Sequence, residues 1–170
     1  MAENRNNWLI GSVKILVDGA SIGYTDESTE IEFTEEVAAI TVDGYGSSLI
    51  SEAITGRGIT IKAKLKQVTK EELENVWANV LQFGAGSSAT HVDFDHATND
   101  DYYADAKEVI LRRRKAGADT TEDFYVFKAG IRTDGPIALN NNDMWMLPIT
   151  ITAYVNDDGI LGGFGDSDGA

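Results

Sequence analysis

Between Arg57 and Trp77 the hydrophobic period of the chain changes from two to about 3.6. In "GITIKAKLK" Ile59, Ile61, Ala63 and Leu65 share one face of an extended strand, and Thr60, Lys62, Lys64 and Lys66 share the other. Thr69 then supplies an N-cap, with Glu72 three residues on as its capping-box partner. Leu73, Val76, Trp77, Val80 and Leu81 follow at helical spacing, which predicts a helix from Lys70 to Phe83. A half-buried strand feeding an amphipathic helix demands a sheet with one apolar face and a helix laid against the fold. The lysine row is unexpected, because the 170-residue chain carries a formal net charge of -14.

Strand patterns dominate the rest. "SVKILVDGASIGYTD" reads as a hairpin, with Val13, Ile15 and Val17 on one face and Asp18-Gly19 as a turn that accepts positive φ. "TEIEFTEE" alternates Glu30, Ile31, Glu32 and Phe33, and "VAAITVDG" runs to a second Asp-Gly pair. Tyr45 to Gly56 reads as a Gly- and Ser-rich loop holding the apolar pieces Leu49-Ile50 and Ala53-Ile54. "THVDFD" is a short strand candidate, and "ATNDDYYAD" a loop. "AKEVILRRRK" and "EDFYVFKAGI" read as two strands joined by a hydrophilic tip, the second apolar on both faces and so buried on both. "MWMLPITITAYVN" is the last strand, and Pro148 predicts an edge or a bulge there. The expected fold is mainly β (α+β): two packed antiparallel sheets forming a sandwich or partial barrel, with one flanking helix. Residues 1–156 form this single domain, and the Gly-rich acidic tail 157–170 is expected to be mobile.

Composition narrows the function. Hydrophobic residues make up 42% and charged residues 25%, enough for a packed core. No apolar run reaches the roughly 20 residues of a membrane helix, so no membrane partner is expected. "MAENRNNWLIGS" lacks a secretory signal pattern, so synthesis in a cytoplasm is expected. The absence of cysteine excludes disulfides, zinc-thiolate sites and thiol nucleophiles. An acidic chain lacks the clustered Lys and Arg that grip phosphate.

Few residues point to chemistry. His91, Asp93, Asp95 and His96 in "HVDFDH" could ligate a metal, but their spacing matches no metal signature and suits a polar strand face as well. "DDG" and "DSDG" lack the full calcium loop with its distal Glu. There is no nucleophile elbow and no phosphate-cradling Gly loop, so neither enzymatic activity nor a cofactor is expected. Charge is better read as recognition. Arg112, Arg113 and Arg114 form a basic knot at a strand end, and Lys62, Lys64 and Lys66 have a complement in Glu30, Glu32 and Glu35. Such rows are either solvated sheet faces or contacts that set the register between subunits.

The order of these pieces resembles the tail tube (major tail) proteins of long-tailed bacteriophages, with a non-contractile tail expected. The resemblance rests on the hairpin "GSVKILVDGASIGYT", the charged pair "TEIEFTEEVAAITVDGYG", the strand-to-helix run "GRGITIKAKLKQVTKEELENVW" and the closing strand "LPITITAYVNDDG". It implies a structural virion protein whose subunits, usually six, close into rings that stack around a lumen through which genome DNA passes without specific binding. It implies self-contacts, a tape-measure protein, and tip and terminator proteins as partners. A long loop bridges rings in such proteins, and here the candidate runs from Asp43 to Gly56, with Gly44, Tyr45, Gly46, Leu49, Ile50 and Ile54 within it. Many members carry an extra immunoglobulin-like domain; here "GILGGFGDSDGA" follows the last strand, and such a domain is not expected. Two other readings remain: the tube protein of a type VI secretion-like system, and a monomeric glycan-binding module using Trp8, Trp77, Trp145, Tyr102 and Tyr103.

Overall fold

The computed structural model describes residues 13–41, 49–66, 101–113, 119–136 and 146–166. They form seven strands: β1 (Val13–Val17), β2 (Ala20–Thr41), β3 (Leu49–Lys66), β4 (Lys107–Arg113), β5 (Phe124–Thr133), β6 (Met146–Tyr154) and β7 (Gly162–Phe164). The first hairpin forms because Asp18 and Gly19 adopt φ of 48° and 76°, the left-handed pair that matches the strand twist. Every pairing is antiparallel. The order β4-β1-β2-β3-β6-β5-β7 carries a further β4–β5 pairing, so six strands close on themselves and β7 adds to β5. The described strands thus form one closed sheet where two packed sheets were expected. The expected helix at 70–83 lies outside the described residues.

The core fills the closed sheet. Ile59, Ile61, Ala63 and Leu65 of β3 are buried, as their alternation predicts, and meet Leu147, Ile149 and Ile151 of β6 and Ile15 and Val17 of β1. β5 departs from simple alternation. Its register against β4 shifts between Lys107 and Val109, so Phe124 and Val126 face the core before the shift and Ala129 and Ile131 after it. That irregularity, more than burial of both faces, explains why the run reads as continuously apolar. Tyr125 is buried as well, and the register sets it opposite Gly163 of β7.

Three expectations change. β6 is not an edge, since it lies between β3 and β5. Pro148 sits where the β5 ladder ends, and its carbonyl takes the last bond, from Asp134 N at 3.0 Å. A strand residue points its N and O to the same edge, so the missing N–H falls where no further pairing is required. Next, the acidic tail is not loose over 157–166. Gly162–Phe164 pair with Phe124–Val126, and Gly165 N donates to Asp123 O at 2.8 Å. Last, Leu49–Gly56 is not loop. "TEIEFTEE" and "VAAIT" merge into the 22-residue β2, and β3 runs beside it from Leu49.

Candidate assembly surface

β2 and β3 are longer than their neighbours, and this creates the main surface feature. β1 pairs with β2 only over Ala20–Tyr24, and β6 pairs with β3 only over Thr60–Lys66. Beyond those limits β2 and β3 pair only with each other, Phe33 opposite Ile59 through to Thr41 opposite Leu49. The result is a two-stranded arm projecting from the barrel, its outer strand edges without a neighbour among the described residues. The arm is exposed on both faces, including Phe33, Val37, Ile40, Leu49, Ile50 and Ile54. Large apolar residues gathered on one projecting element mark an interaction surface, whereas scattered ones would not.

The pairing fixes which residues share a face. Phe33, Glu35 and Val37 continue the core-facing side of β2, with Arg57 and Ile54 as cross-strand partners. Thr55 has no Cα partner and Ile50 none, so each marks a bulge that keeps the apolar residues of β3 in step with those of β2. Alternate residues Glu36, Ala38 and Ile40 lie on the other face. At the arm's base Phe33 stands edge-on to Phe124, ring centres 6.1 Å apart, and Phe124 meets Phe164 at 4.8 Å.

Beside this aromatic row opens a groove of about 780 Å³. One wall is the arm base, with Phe33, Glu35, Ile54 and Arg57; the other is the chain from Val155 to Gly162. The second wall is well built. Asn156 Oδ1 accepts from Ile160 N at 2.7 Å and Asp158 N at 3.1 Å, Asn156 N donates to Ile160 O at 2.9 Å, and Gly159 takes φ 82°. Ile160 is nonetheless exposed, as is Val155. The sequence reading missed this wall. Its signal was an isoleucine held in an Asn-Asp-Asp-Gly turn, where a purely solvated tip would carry polar residues.

The charged rows come together within one chain. Glu30 lies opposite Lys62 in the β2–β3 register, Lys62 Nζ is 3.7 Å from Glu32 Oε2, and Arg57 Nε is 3.0 Å from Glu35 Oε2. Lys64 and Lys66 lie further along the same face of β3, toward Pro148 and Met146 of β6. Arg112 and Arg113 are tied to the following turn. Arg113 pairs with Glu122, and Arg112 reaches the buried Asp123 Oδ2 through Nη2 at 2.6 Å and Nε at 2.7 Å. The hydrogen bond to Asp123 raises the Arg112 guanidinium above its ordinary value. Tyr103 stacks under Lys128, whose Nζ is 3.1 Å from both the Tyr103 hydroxyl and Asp157 Oδ1. Arg114, Asp43, Gly44, Tyr45 and Gly46 lie outside the described residues, as do His91, Asp93, Asp95, His96, Trp8, Trp77 and Trp145. Among the described residues no group of three or more His, Asp or Glu is placed to hold a metal, and no helix is long and apolar enough to cross a membrane.

Among the described residues this geometry offers surfaces for another protein, and no nucleophile, base and oxyanion donors of the kind acyl transfer needs are brought together. A search of curated proteins finds no match. The family model described as "Phage tail tube protein" matches residues 18–164. The matched span runs from the first hairpin turn to the end of β7, and takes in the arm and both walls of the groove. The chain therefore belongs to the phage tail tube protein family.

Proposed function

We propose that this chain is the repeating subunit of a phage tail tube, closing into rings, six-fold as the resemblance implies, that stack around an acidic lumen and conduct the genome. The observation that carries this reading is the arm: a hairpin exposed on both faces, with apolar residues and with edges unpaired among the described residues, invites pairing with another chain. Family membership supports self-assembly, a place in the virion tail, and contact with other tail components; the tape-measure, tip and terminator proteins are the proposed partners. The arm takes the ring-bridging role first assigned to Asp43–Gly56, with Leu49, Ile50 and Ile54 now carried on a strand. Glu30, Glu32, Glu35, Lys62, Lys64, Lys66 and Arg112 to Arg114 remain proposed contact residues, which in assembly would exchange or extend the pairs made within the chain. A net charge of -14 suits a conduit that must not hold a phosphate backbone.

Negative-stain electron microscopy of the purified chain, from dilute to concentrated and with tail tip proteins as nucleus, tests the reading. Rings or hollow tubes are expected. A chain that stays monomeric under all these conditions would remove the proposal.

A further inference from the structure

The arm needs a receptor, and the molecule carries a candidate. The groove at the arm's base is the open end of the barrel core: Ile59 at its floor is buried, while Phe33, Ile54, Val155 and Ile160 stand exposed around it. The turn that presents Ile160 is fixed by its own hydrogen bonds, so the groove exists before anything enters it. The arm supplies apolar groups on both faces, Val37 and Leu49 on one and Ile40 on the other. Ile40 lies seven residues beyond Phe33, roughly 23 Å along the strand at about 3.3 Å per residue. The arm cannot fold back into its own base over so short a hairpin, and membership of a self-assembling tail tube family favours a second copy as its partner.

We infer that the groove lined by Phe33, Ile54, Val155 and Ile160 receives the arm of a neighbouring copy of this chain. The inference rests on the tube reading above and names the acceptor that reading lacks. Donor and acceptor are different patches of one subunit, so the contact is heterologous: it closes into a ring or continues as a stack, and does not end at a dimer. The described arm, Glu36–Thr41 with Leu49–Gly56, is smaller than the roughly 20–30 residues a side of a stable standard interface. One contact is therefore weak, and assembly depends on concentration and on several contacts closing together.

Complementary variants test it. Ile40→Asp disables the arm and leaves the groove, and Ile160→Asp disables the groove and leaves the arm. Neither variant alone should form rings or tubes, while an equimolar mixture should show weak, concentration-dependent one-to-one association in sedimentation velocity that neither variant shows alone, because a single intact arm–groove contact survives. Assembly of Ile160→Asp at the unmodified level overturns the inference and leaves the tube reading standing; an unmodified chain that never assembles removes both. Should Ile160→Asp fail to fold, the absence of native cysteine makes a second test clean. Ile40→Cys and Ile160→Cys copies, mixed and assembled, should form a disulfide-linked dimer on mild oxidation. Assemblies without that cross-link overturn the inference.

Discussion

Asp123 shows how much depends on one side chain. Its side chain is 4% exposed, Arg112 is 21% exposed, and Oδ1 is buried without a hydrogen-bond partner among the described residues. Removing one member of such a pair leaves the other uncompensated, at a cost of about 3–5 kcal/mol when it is fully buried. The Arg112 guanidinium can turn toward water and the Asp123 carboxylate cannot. Arg112→Ala should therefore destabilise more than Asp123→Ala in urea unfolding, and equal losses would mean that the pair contributes only packing. Four residues before the buried Asp123, Asp119 is held below the usual aspartate range, first by the Thr121 hydroxyl at 2.6 Å and then by Thr121 N at 3.0 Å. A depressed carboxylate contributes stability above its unfolded value of 3.8 and loses it as pH falls through the lower folded value. Thr121→Ala should raise the Asp119 titration midpoint in an NMR pH series; an unmoved midpoint would contradict the hydrogen-bond origin.

At the scale of elements, β7 and the arm are opposite solutions to the same edge. β6 leaves β5 after Tyr154 opposite Lys128, so the edge of Phe124–Val126 is open until Gly162–Phe164 fills it. Glycine is required there because a Cβ on Gly162 would overlap the Tyr125 carbonyl oxygen. Gly162→Val should release β7, lower stability by about 1–3 kcal/mol as overpacking does, and speed hydrogen exchange in the Phe124–Val126 stretch. Unchanged exchange would show that β7 is dispensable. Among the described residues the arm has no such cover, which leaves its edges open to a neighbour.

For the whole molecule, the charged rows separate folding from assembly. The pair Lys62–Glu32 is exposed on both sides, and such pairs contribute about 0–1 kcal/mol. Replacing Lys62, Lys64 and Lys66 with alanine should leave thermal unfolding almost unchanged. If the same face joins subunits, the triple variant should polymerise poorly, and the salt dependence of light scattering by the unmodified chain should weaken. Normal polymerisation of the variant would confine these lysines to pairing within the chain.

What the sequence determined by itself is local. The Asp18-Gly19 turn, the two faces of Ile59–Lys66 and the β class follow from backbone sterics and a two-residue period, both short-range. The Lys and Glu rows were legible as complements, but a period says nothing about whether the partner strand belongs to the same chain or to another. Leu49–Gly56 looked like loop because two bulges break its alternation and glycine and serine flank it; only pairing with β2 makes it strand. The extent of pairing was decided by the tertiary structure, since β1 and β6 stop early and leave β2 and β3 to project. So was the groove, whose walls lie roughly a hundred residues apart in sequence. Cross-strand pairing is a long-range choice, and it settles only when all the strands compete for the same edges.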